Sequence, residues 1–399
     1  TYANDYNPVA VFLEKCTIEY PQKYGKTNSE DWQDEDNSFV QDIRKSADIV
    51  FEKSNKILSK FYPKDNDGSM PVGYYWMRTI KCLNPACELE IPLTTSWWLS
   101  RTNKNKIALQ PILKDSKIDF EIIGVEDEIP DSFDPNHGTI SRAVVSCPKC
   151  KTSIDAETIR KSFKDGNFGE RLVGVILNHS KRKGKTYRIA TEKDLNTFNS
   201  SYQYLKDIIQ DLKIEWGFDP IPDEELPLMS GVFNVPIYGL DEWGKLFNYR
   251  QQLTLLIFMK VIKEYFNDLI SENNDIEYSK ALLSYLGIIF DRLADKNANL
   301  VVYDVTRDTP SHVFGRQALP MVWNYIEINP FTDIGWPNMT KWVEKVVEHC
   351  TNVSNTPATI TMSSATSLPY PDNFFDAIFT DPPYYNSVPY ADLSDFFYV

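Results

Sequence analysis

The sequence predicts an α/β fold in which an open parallel sheet is interrupted by a large insertion. Strand–turn–helix patterns occur near both ends of the chain, over residues 2–13 and 358–399. Between them lie two pairs of closely spaced cysteines, set among strand-like segments and turns. Apolar residues also recur at helical spacing over residues 35–60 and 247–293. These patterns together predict an α/β protein with strand–helix segments at both ends and other modules between them.

Composition restricts the class of protein. The length of 399 residues allows two or three domains, and the formal net charge is -14. Such an acidic chain is not expected to coat nucleic acid nonspecifically, although a local basic groove stays compatible with it. No apolar run approaches the roughly 20 residues of a membrane span. No signal peptide is visible either, so we expect a cytoplasmic protein without a membrane partner.

Residues 1–20 form the first part of the predicted sheet domain. A short strand ends at Asp5, and a helix begins near Pro8. An acid at the end of a strand in such a sheet is the usual partner of a ribose diol, because a carboxylate accepts from both hydroxyls. Asp5 and Asn7 are therefore candidate cofactor contacts. Alternatively, Asp5 or Asn7 only caps the helix. Residues 21–73 are expected to form a helical segment, with an amphipathic helix over residues 35–60.

Residues 74–190 change in character and contain Cys82, Cys87, Cys147 and Cys150. In a long chain without a secretory signal, two close cysteine pairs favour a metal over disulfides. Four thiolates complete a tetrahedral structural zinc site. The alternative is a set of unlinked core thiols. His137 lies between the pairs and is interpreted as a bystander.

Two basic clusters flank this cysteine module, one at residues 101–106 and one at residues 181–188. The second cluster comes after an apolar strand at residues 172–177 and is expected to form the tip of a hairpin. On an acidic chain, such hairpins suggest a surface that contacts phosphates. The alternative is a solvated turn, since runs of charge usually are. The candidate nucleic-acid contacts are Arg101, Lys104, Lys106, Lys181, Arg182, Lys183, Lys185 and Arg188.

The remaining segments lead back to the sheet domain. Residues 191–240 contain four prolines and are expected to form a linker, and residues 241–350 form a helical region. Residues 351–399 form the second part of the sheet domain, with strands at 358–362 and 375–380 and a helix from residue 390.

A rigid turn, Asp381-Pro382-Pro383-Tyr384, follows the second of these strands. Each proline fixes its own φ and restricts the residue before it, so Asp381 and Tyr384 have little conformational freedom. A carboxylate beside the free Pro382 carbonyl is a pair of acceptors that fits the two N–H donors of an exocyclic amino group. Tyr384 offers a flat face for a base that has left its duplex. The alternative is a plain Asp-Pro turn after a strand.

Several strings in the chain, taken together, resemble the adenine-specific DNA methylases that contain a zinc ribbon. The matching strings are residues 2–10, 82–93, 97–100, 147–150, 246–251, 291–295, 317–321, 329–331 and 380–399. The resemblance implies a Rossmann-like methyltransferase sheet interrupted by a large insertion with a zinc ribbon and helices.

The resemblance also implies an activity, which is transfer of a methyl group from S-adenosylmethionine to the N6 nitrogen of adenine. Asp381, Pro382 and Tyr384 would hold the target adenine, and Asp5 would contact the cofactor ribose. The four paired cysteines would hold structural zinc. The implied partners are double-stranded DNA with a flipped adenine and the subunits of a restriction-like or phage-defence system.

The chain departs from the family pattern at two places. The Gly-rich loop expected before the Asp5 strand is absent, so we expect the chain to be a fragment or to bind cofactor poorly. The loop after residue 361 lacks the acid that contacts the cofactor's adenine in many relatives, which leaves Ser364 as the candidate. Alternative functions are an RNA or cytosine amino-methyltransferase, or a noncatalytic nucleic-acid-binding subunit of a defence complex. A zinc-dependent hydrolase is disfavoured because no open metal site is apparent.

Overall fold

A computed structural model describes residues 1–25, 38–125, 128–179, 184–272, 275–385 and 387–399. The helices in chain order are α1 (Pro8–Glu14), α2 (Tyr20–Tyr24), α3 (Ser38–Leu58), α4 (Ala156–Lys164), α5 (Glu192–Trp216), α6 (Tyr249–Glu272), α7 (Ile276–Lys296), α8 (Trp336–Thr351) and α9 (Tyr390–Tyr398). A π-helix, Lys15–Glu19, joins α1 to α2.

The strands in chain order are β1 (Tyr2–Asp5), β2 (Met70–Lys81), β3 (Glu90–Pro92), β4 (Trp98–Arg101), β5 (Lys106–Leu113), β6 (Ile118–Ile123), β7 (Ile140–Ser141), β8 (Val144–Ser146), β9 (Ser153–Ile154), β10 (Gly169–Asn178), β11 (Lys185–Ile189), β12 (Tyr303–Asp304), β13 (Thr309–Pro310), β14 (Asn324–Ile328) and β15 (Thr359–Met362). The protein is therefore mixed α/β. The described chain divides into two compact units.

The first unit comprises Thr1–Lys56, Ile257–Arg292 and Trp336–Val399. Its sheet pairs β1 with β15 in parallel, with Tyr2 opposite Thr359 and Asp5 opposite Met362. The predicted strands at the two ends of the chain are thus confirmed, and they lie side by side.

Helices α3, α6, α7 and α8 supply the apolar core of this unit. The Phe39 ring of α3 lies 5.6 Å from Tyr285 of α7. The Phe258 ring of α6 lies 4.7 Å from Trp336 of α8, whose indole nitrogen donates to the Ala47 carbonyl at 3.0 Å. Residues at helical spacing on α3, including Phe39 and Ile43, are buried, so the amphipathic pattern predicted this buried face correctly.

The second unit comprises Ile57–Leu256 and Leu293–Gly335. Its main sheet has the strand order β11-β10-β2-β14, and β3 pairs with the end of β2. All these pairings are antiparallel. Strand β2 is buried along nearly all of its length because it has sheet neighbours on both sides. Smaller sheets, β4-β5-β6 and β7-β8-β9, carry the basic hairpin and part of the cysteine module.

Two sequence predictions differ from this structure. No strand forms at residues 375–380, and Ile378 and Phe379 are 67% and 96% exposed. A strand needs a neighbour to pair its peptide groups, and β1 and β15 pair only with each other among the described residues. A Rossmann-like sheet is accordingly not formed by the described strands.

The segment expected to be a linker, residues 191–240, begins with the 25-residue helix α5. A capping box between Thr191 and Asp194 starts this helix, and Gly217 ends it in the left-handed conformation. Leu205, Ile208 and Leu212 lie on its buried face. The prolines that suggested a linker all follow the helix, so they did not bear on residues 192–216. None of the helices within the described ranges is long and apolar enough to cross a bilayer.

Candidate functional site

Asp5 ends β1 at the carboxyl edge of the parallel pair. Its Oδ1 accepts a hydrogen bond from the Asn7 backbone at 2.7 Å. Asn7 caps α1, since its Oδ1 accepts from Val9 N at 2.9 Å. Asp5 therefore shapes the turn with one oxygen, while Oδ2 has no hydrogen-bond partner among the described residues. The capping role is confirmed for Asn7, and Asp5 retains an acceptor for a ligand.

Ser364 lies at the same edge because Asp5 is opposite Met362 in the parallel register. The Ser363 backbone donates to the Asp5 carbonyl at 3.2 Å. The Ser364 hydroxyl lies 2.8 Å from the Thr366 hydroxyl. Burial is the main cause of the raised pKa of the Glu14 carboxyl, and the negative charge of Asp5 raises it further. The edge thus combines hydroxyl groups with negative charge.

The segment that contains Asp381, Pro382, Pro383 and Tyr384 is exposed, and Tyr384 is 71% accessible. It is flanked by two anchors on the β1–α1 unit. Before it, the Phe375 ring lies 5.4 Å from Tyr2 at the start of β1. After it, Ser394 of α9 accepts from the Asn7 side chain at 2.9 Å. The Asp381 carboxylate makes no hydrogen bond or ion pair within the described ranges, and so it can accept donors from a ligand.

Cys82, Cys87, Cys147 and Cys150 converge in the second unit, with their four sulfur atoms all within 4.8 Å of one another. Two pairs are closer, since Cys82 Sγ lies 3.5 Å from Cys150 Sγ and Cys87 Sγ lies 3.8 Å from Cys147 Sγ. Thiolates at zinc–sulfur distances of about 2.3 Å in a tetrahedron stand about 3.8 Å apart. The cysteine cluster therefore fits a zinc ion without rearrangement of the backbone.

Local structure explains why the cysteines meet. The first pair lies in the turn after β2, where the Cys82 backbone donates to the Leu89 carbonyl at 2.8 Å. The second pair lies in the turn between β8 and β9. His137 is not among these ligands, because it is exposed and its Nδ1 lies 2.7 Å from an Asp134 oxygen. The interpretation of His137 as a bystander agrees with this position.

The thiols differ in acidity within the cluster. Burial raises the pKa of Cys82 to about 12. Hydrogen bonding by the Thr152 side chain lowers the pKa of Cys150 to about 6. The Thr152 contact thus favours the thiolate form at Cys150, and a metal bound at the cluster would displace the protons of the other thiols.

The structure separates the predicted phosphate contacts into different environments. Arg101, Lys104 and Lys106 are exposed at the β4–β5 hairpin. Arg188 instead forms ion pairs with Asp65 at 2.6 Å and Asp194 at 2.7 Å.

Lys185 contacts the Asp308 carbonyl and the Tyr303 hydroxyl, and burial lowers its pKa. Lys181, Arg182 and Lys183 lie outside the described residues. The exposed hairpin is therefore the better placed of the two clusters to contact phosphates.

A buried polar network in the second unit was missed by sequence reasoning. Arg250 and Glu327 form a fully buried ion pair. Glu327 also accepts from the Trp76 indole at 2.9 Å and from Asn248 at 3.0 Å. Arg250 lies near the start of α6. Its carboxylate partner lies 77 residues further along the chain, and nothing local indicates it.

No protein-family model, curated protein or solved structure matches this chain.

Proposed function

We propose that the chain is an S-adenosylmethionine-dependent methyltransferase that acts on the N6 amino group of adenine in DNA. One observation carries the proposal. The Asp381–Tyr384 segment offers unpaired acceptors to solvent and is anchored on both sides to the β1–α1 unit that carries Asp5. A turn that accepts an amino group would then belong to the same compact unit as a candidate cofactor edge.

Asp381 and Pro382 have a defined chemical role in this proposal. The Asp381 carboxylate and the Pro382 carbonyl accept the two N–H groups of the adenine amino group. These hydrogen bonds draw the nitrogen lone pair out of conjugation with the ring, which makes the nitrogen a better nucleophile. Tyr384 stacks on the base, whose removal from the duplex costs about a few kcal/mol. The cysteine cluster has no part in the chemistry, because a four-thiolate site leaves no open position.

The cofactor side is supported in part. Asp5 retains a carboxylate oxygen for the ribose hydroxyls, and Ser364 lies at the same edge for the cofactor's adenine. Asn7, the third predicted cofactor contact, is used as a helix cap. S-adenosylmethionine, when bound, supplies an electrophilic methyl group. No residue is assigned to its methionine part.

The second unit would supply DNA contacts. Arg101, Lys104 and Lys106 are exposed on a hairpin of the unit that also holds the cysteine cluster. Side chains of this type contact phosphates and position a duplex without reading its sequence. Zinc would act there as a structural ion that fixes the turns.

The test compares wild type with Asp381→Ala, using labelled S-adenosylmethionine and adenine-containing DNA followed by nucleoside analysis. We expect transfer to adenine by wild type, and a loss of at least about 100-fold in the variant because the amino-group acceptor is removed. Asp376→Ala is the matched control, since Asp376 is also exposed in the same segment. The control variant should retain the wild-type rate.

Two results would overturn the assignment. Wild-type rates in Asp381→Ala would remove Asp381 from the mechanism. If the methylated base were cytosine, or if RNA were methylated, the enzyme would act on those substrates and not on adenine in DNA. A third arm addresses the noncatalytic alternative, which the exposed basic hairpin and the cysteine cluster favour. Nucleic-acid binding with neither cofactor binding in calorimetry nor methyl transfer would establish that alternative.

A further inference from the structure

The second unit contains a cleft with a volume of about 950 Å³. Ligand pockets typically span about 300–1,000 Å³, so this one can hold a small organic molecule or a nucleotide. It opens between strand β2, the start of β10, helix α5 and the start of α6. Part of the string at residues 246–251 lines this cleft, but no role was assigned to it from the sequence, and the proposed methyl transfer does not use the cleft.

Aromatic rings form one part of the cleft wall. Trp76 of β2 packs 4.6 Å from Phe198 of α5, and both line the cleft. Tyr249 lies at the rim, is 46% exposed and stands 4.2 Å from Tyr202. The Trp76 indole is held rigidly, because its nitrogen donates to buried Glu327 at 2.9 Å. Trp76 is only 3% exposed and fixes the position of Phe198, so the partly exposed rings of Phe198 and Tyr249 are the ones on which a flat ligand can stack with little reorganisation.

Two residues that line the cleft have an amide oxygen without a donor among the described residues, and the exposed Lys164 ammonium also lines it. Asn299 is 4% exposed and lines the cleft. Its Nδ2 donates to the Lys245 carbonyl at 2.9 Å, which fixes the orientation of the amide. Its buried Oδ1 has no donor within the described parts of the chain. Gln252 is similar, since its Nε2 donates to the Gly244 carbonyl at 2.9 Å while no described residue donates to its Oε1.

A buried acceptor without a partner costs about 1–3 kcal/mol. Asn299 Oδ1 is closed off from solvent, so the acceptor that a ligand in the cleft can reach is the Oε1 atom of half-buried Gln252. The cleft thus favours a ligand with N–H or O–H donors on a flat ring.

The charges around the cleft argue against an organic cation. Glu170 lies 3.6 Å from the Arg78 guanidinium, and Asp241 lies 2.7 Å from the Lys245 ammonium. Glu225 is the third carboxylate that lines the cleft, and it is exposed. The ammonium group of Lys164 also lines the cleft and offsets the charge of Glu225. With Arg78 counted, the three lining carboxylates face three cations, so the cleft has no excess negative charge that would select an ammonium ion over a neutral amino group.

We infer that this cleft binds a nucleobase with an exocyclic amino group, adenine or cytosine, presented by unpaired nucleic acid. Stacking on the exposed aromatic rings supplies affinity, and the amide oxygen of Gln252 selects the amino group. The nucleic-acid origin of the base rests on the proposed function. The base site itself rests on the cleft alone, and it lies in a different unit from Asp381.

The test is calorimetric titration of the whole chain with adenosine, cytidine and uridine, and with choline as a cation probe. We expect adenosine and cytidine to bind about 10-fold tighter than uridine, which lacks the amino group. Tyr249→Ala should weaken all nucleosides by about 5-fold or more, since stacking is lost. Gln252→Met should reduce the preference for amino-bearing bases by about 3-fold or more.

Phe218→Ala is the matched control, because Phe218 is 63% exposed and does not line the cleft. Thermal unfolding of each variant shows whether it is folded, and Tyr249 and Gln252 were chosen because neither is fully buried. Absence of saturable nucleoside binding by wild type would overturn the inference, as would uridine binding equal to adenosine binding. Binding of choline alone would replace it with a cation site.

Methyl transfer measured on the same preparations separates this inference from the proposed function. Transfer to adenine without nucleoside binding at the cleft would refute the cleft inference only. Nucleoside binding that Tyr249→Ala weakens, without any methyl transfer, would refute the methyltransferase proposal and leave the cleft site intact.

Discussion

Asp291 on α7 is the residue whose side chain departs furthest from its usual acidity among the described aspartates and glutamates with a resolved shift. Burial raises its pKa to about 7. No hydrogen bond or ion pair to its carboxylate occurs within the described ranges. The neutral acid is therefore favoured in the folded chain, whereas the unfolded chain ionises near pH 3.9.

The consequence is a pH dependence of stability with a definite sign. A carboxyl with a raised folded-state pKa contributes its full stabilisation below about pH 4, and this is lost as pH rises through about 7. Asp291→Asn should therefore match wild type near pH 4 and become more stable than wild type above pH 7. The gap should be at most a few kcal/mol, at about 1.4 kcal/mol per pKa unit. Urea unfolding at several pH values measures it, and identical pH profiles would contradict the expectation.

The sequence predicted the cysteine cluster but not the ion pairs of Arg188, because only the cysteines carry a recognisable local spacing. The cysteine pairs were identifiable because thiols at close spacing have few other uses in such a chain. The cationic run at residues 181–188 gave no sign that Arg188 would pair with Asp65 and Asp194. Local sequence shows a charge, but the acid that neutralises it comes from elsewhere in the chain.

At the scale of elements, the cysteine cluster links two turns that lie 60 to 68 residues apart in the chain. The turn after β2 and the turn between β8 and β9 bring one pair of thiols each. Strands β7 and β9 have only two residues each, too few to be stable alone. A metal ion would supply much of the stability of this small sheet.

Zinc removal should therefore loosen this part of the second unit. We expect about one zinc per chain by elemental analysis, and its loss in Cys87→Ser. Structural zinc in small domains contributes about 10–16 kcal/mol of apparent binding energy, so the variant should unfold at lower temperature. Cys350→Ser is the control, because Cys350 lies outside the cluster and should leave the zinc content unchanged. Metal-free protein from zinc-sufficient growth would refute the zinc assignment.

Element prediction succeeded where periodicity was strong. Helix α3 and strands β1 and β15 follow their patterns, whereas residues 375–380 read as a strand and do not form one. Such a sequence has a propensity for extended backbone, but a strand forms only where a neighbouring strand pairs with it. Helix α5 was not predicted, because the prolines that follow it suggested a linker over the whole of residues 191–240.

At the scale of the whole molecule, an acidic body carries a small exposed basic hairpin. The formal net charge is -14, so only local cations can contact phosphate. Each phosphate contact lowers the slope of log affinity against log salt by about 0.9 for duplex DNA. A chain with few such contacts should show a shallow dependence on salt.

The double variant Lys104→Ala, Lys106→Ala should reduce the magnitude of this slope by about 2 and weaken duplex binding for all sequences alike. Fluorescence anisotropy at several salt concentrations measures both effects. Lys53→Ala, Lys56→Ala on α3 serves as the control of equal charge change. An unchanged slope in the hairpin variant would place the phosphate contacts elsewhere.

The pairing of Tyr2 with Thr359 also constrains how the protein is made. A ribosome adds about 5–20 residues per second, so roughly 20–70 s separate the synthesis of the two partners. Strand β1 must remain unpaired during this interval while the second unit folds from the intervening chain. The candidate cofactor edge would then assemble only after the intervening chain has been made, and chaperones would meet β1 in its unpaired form.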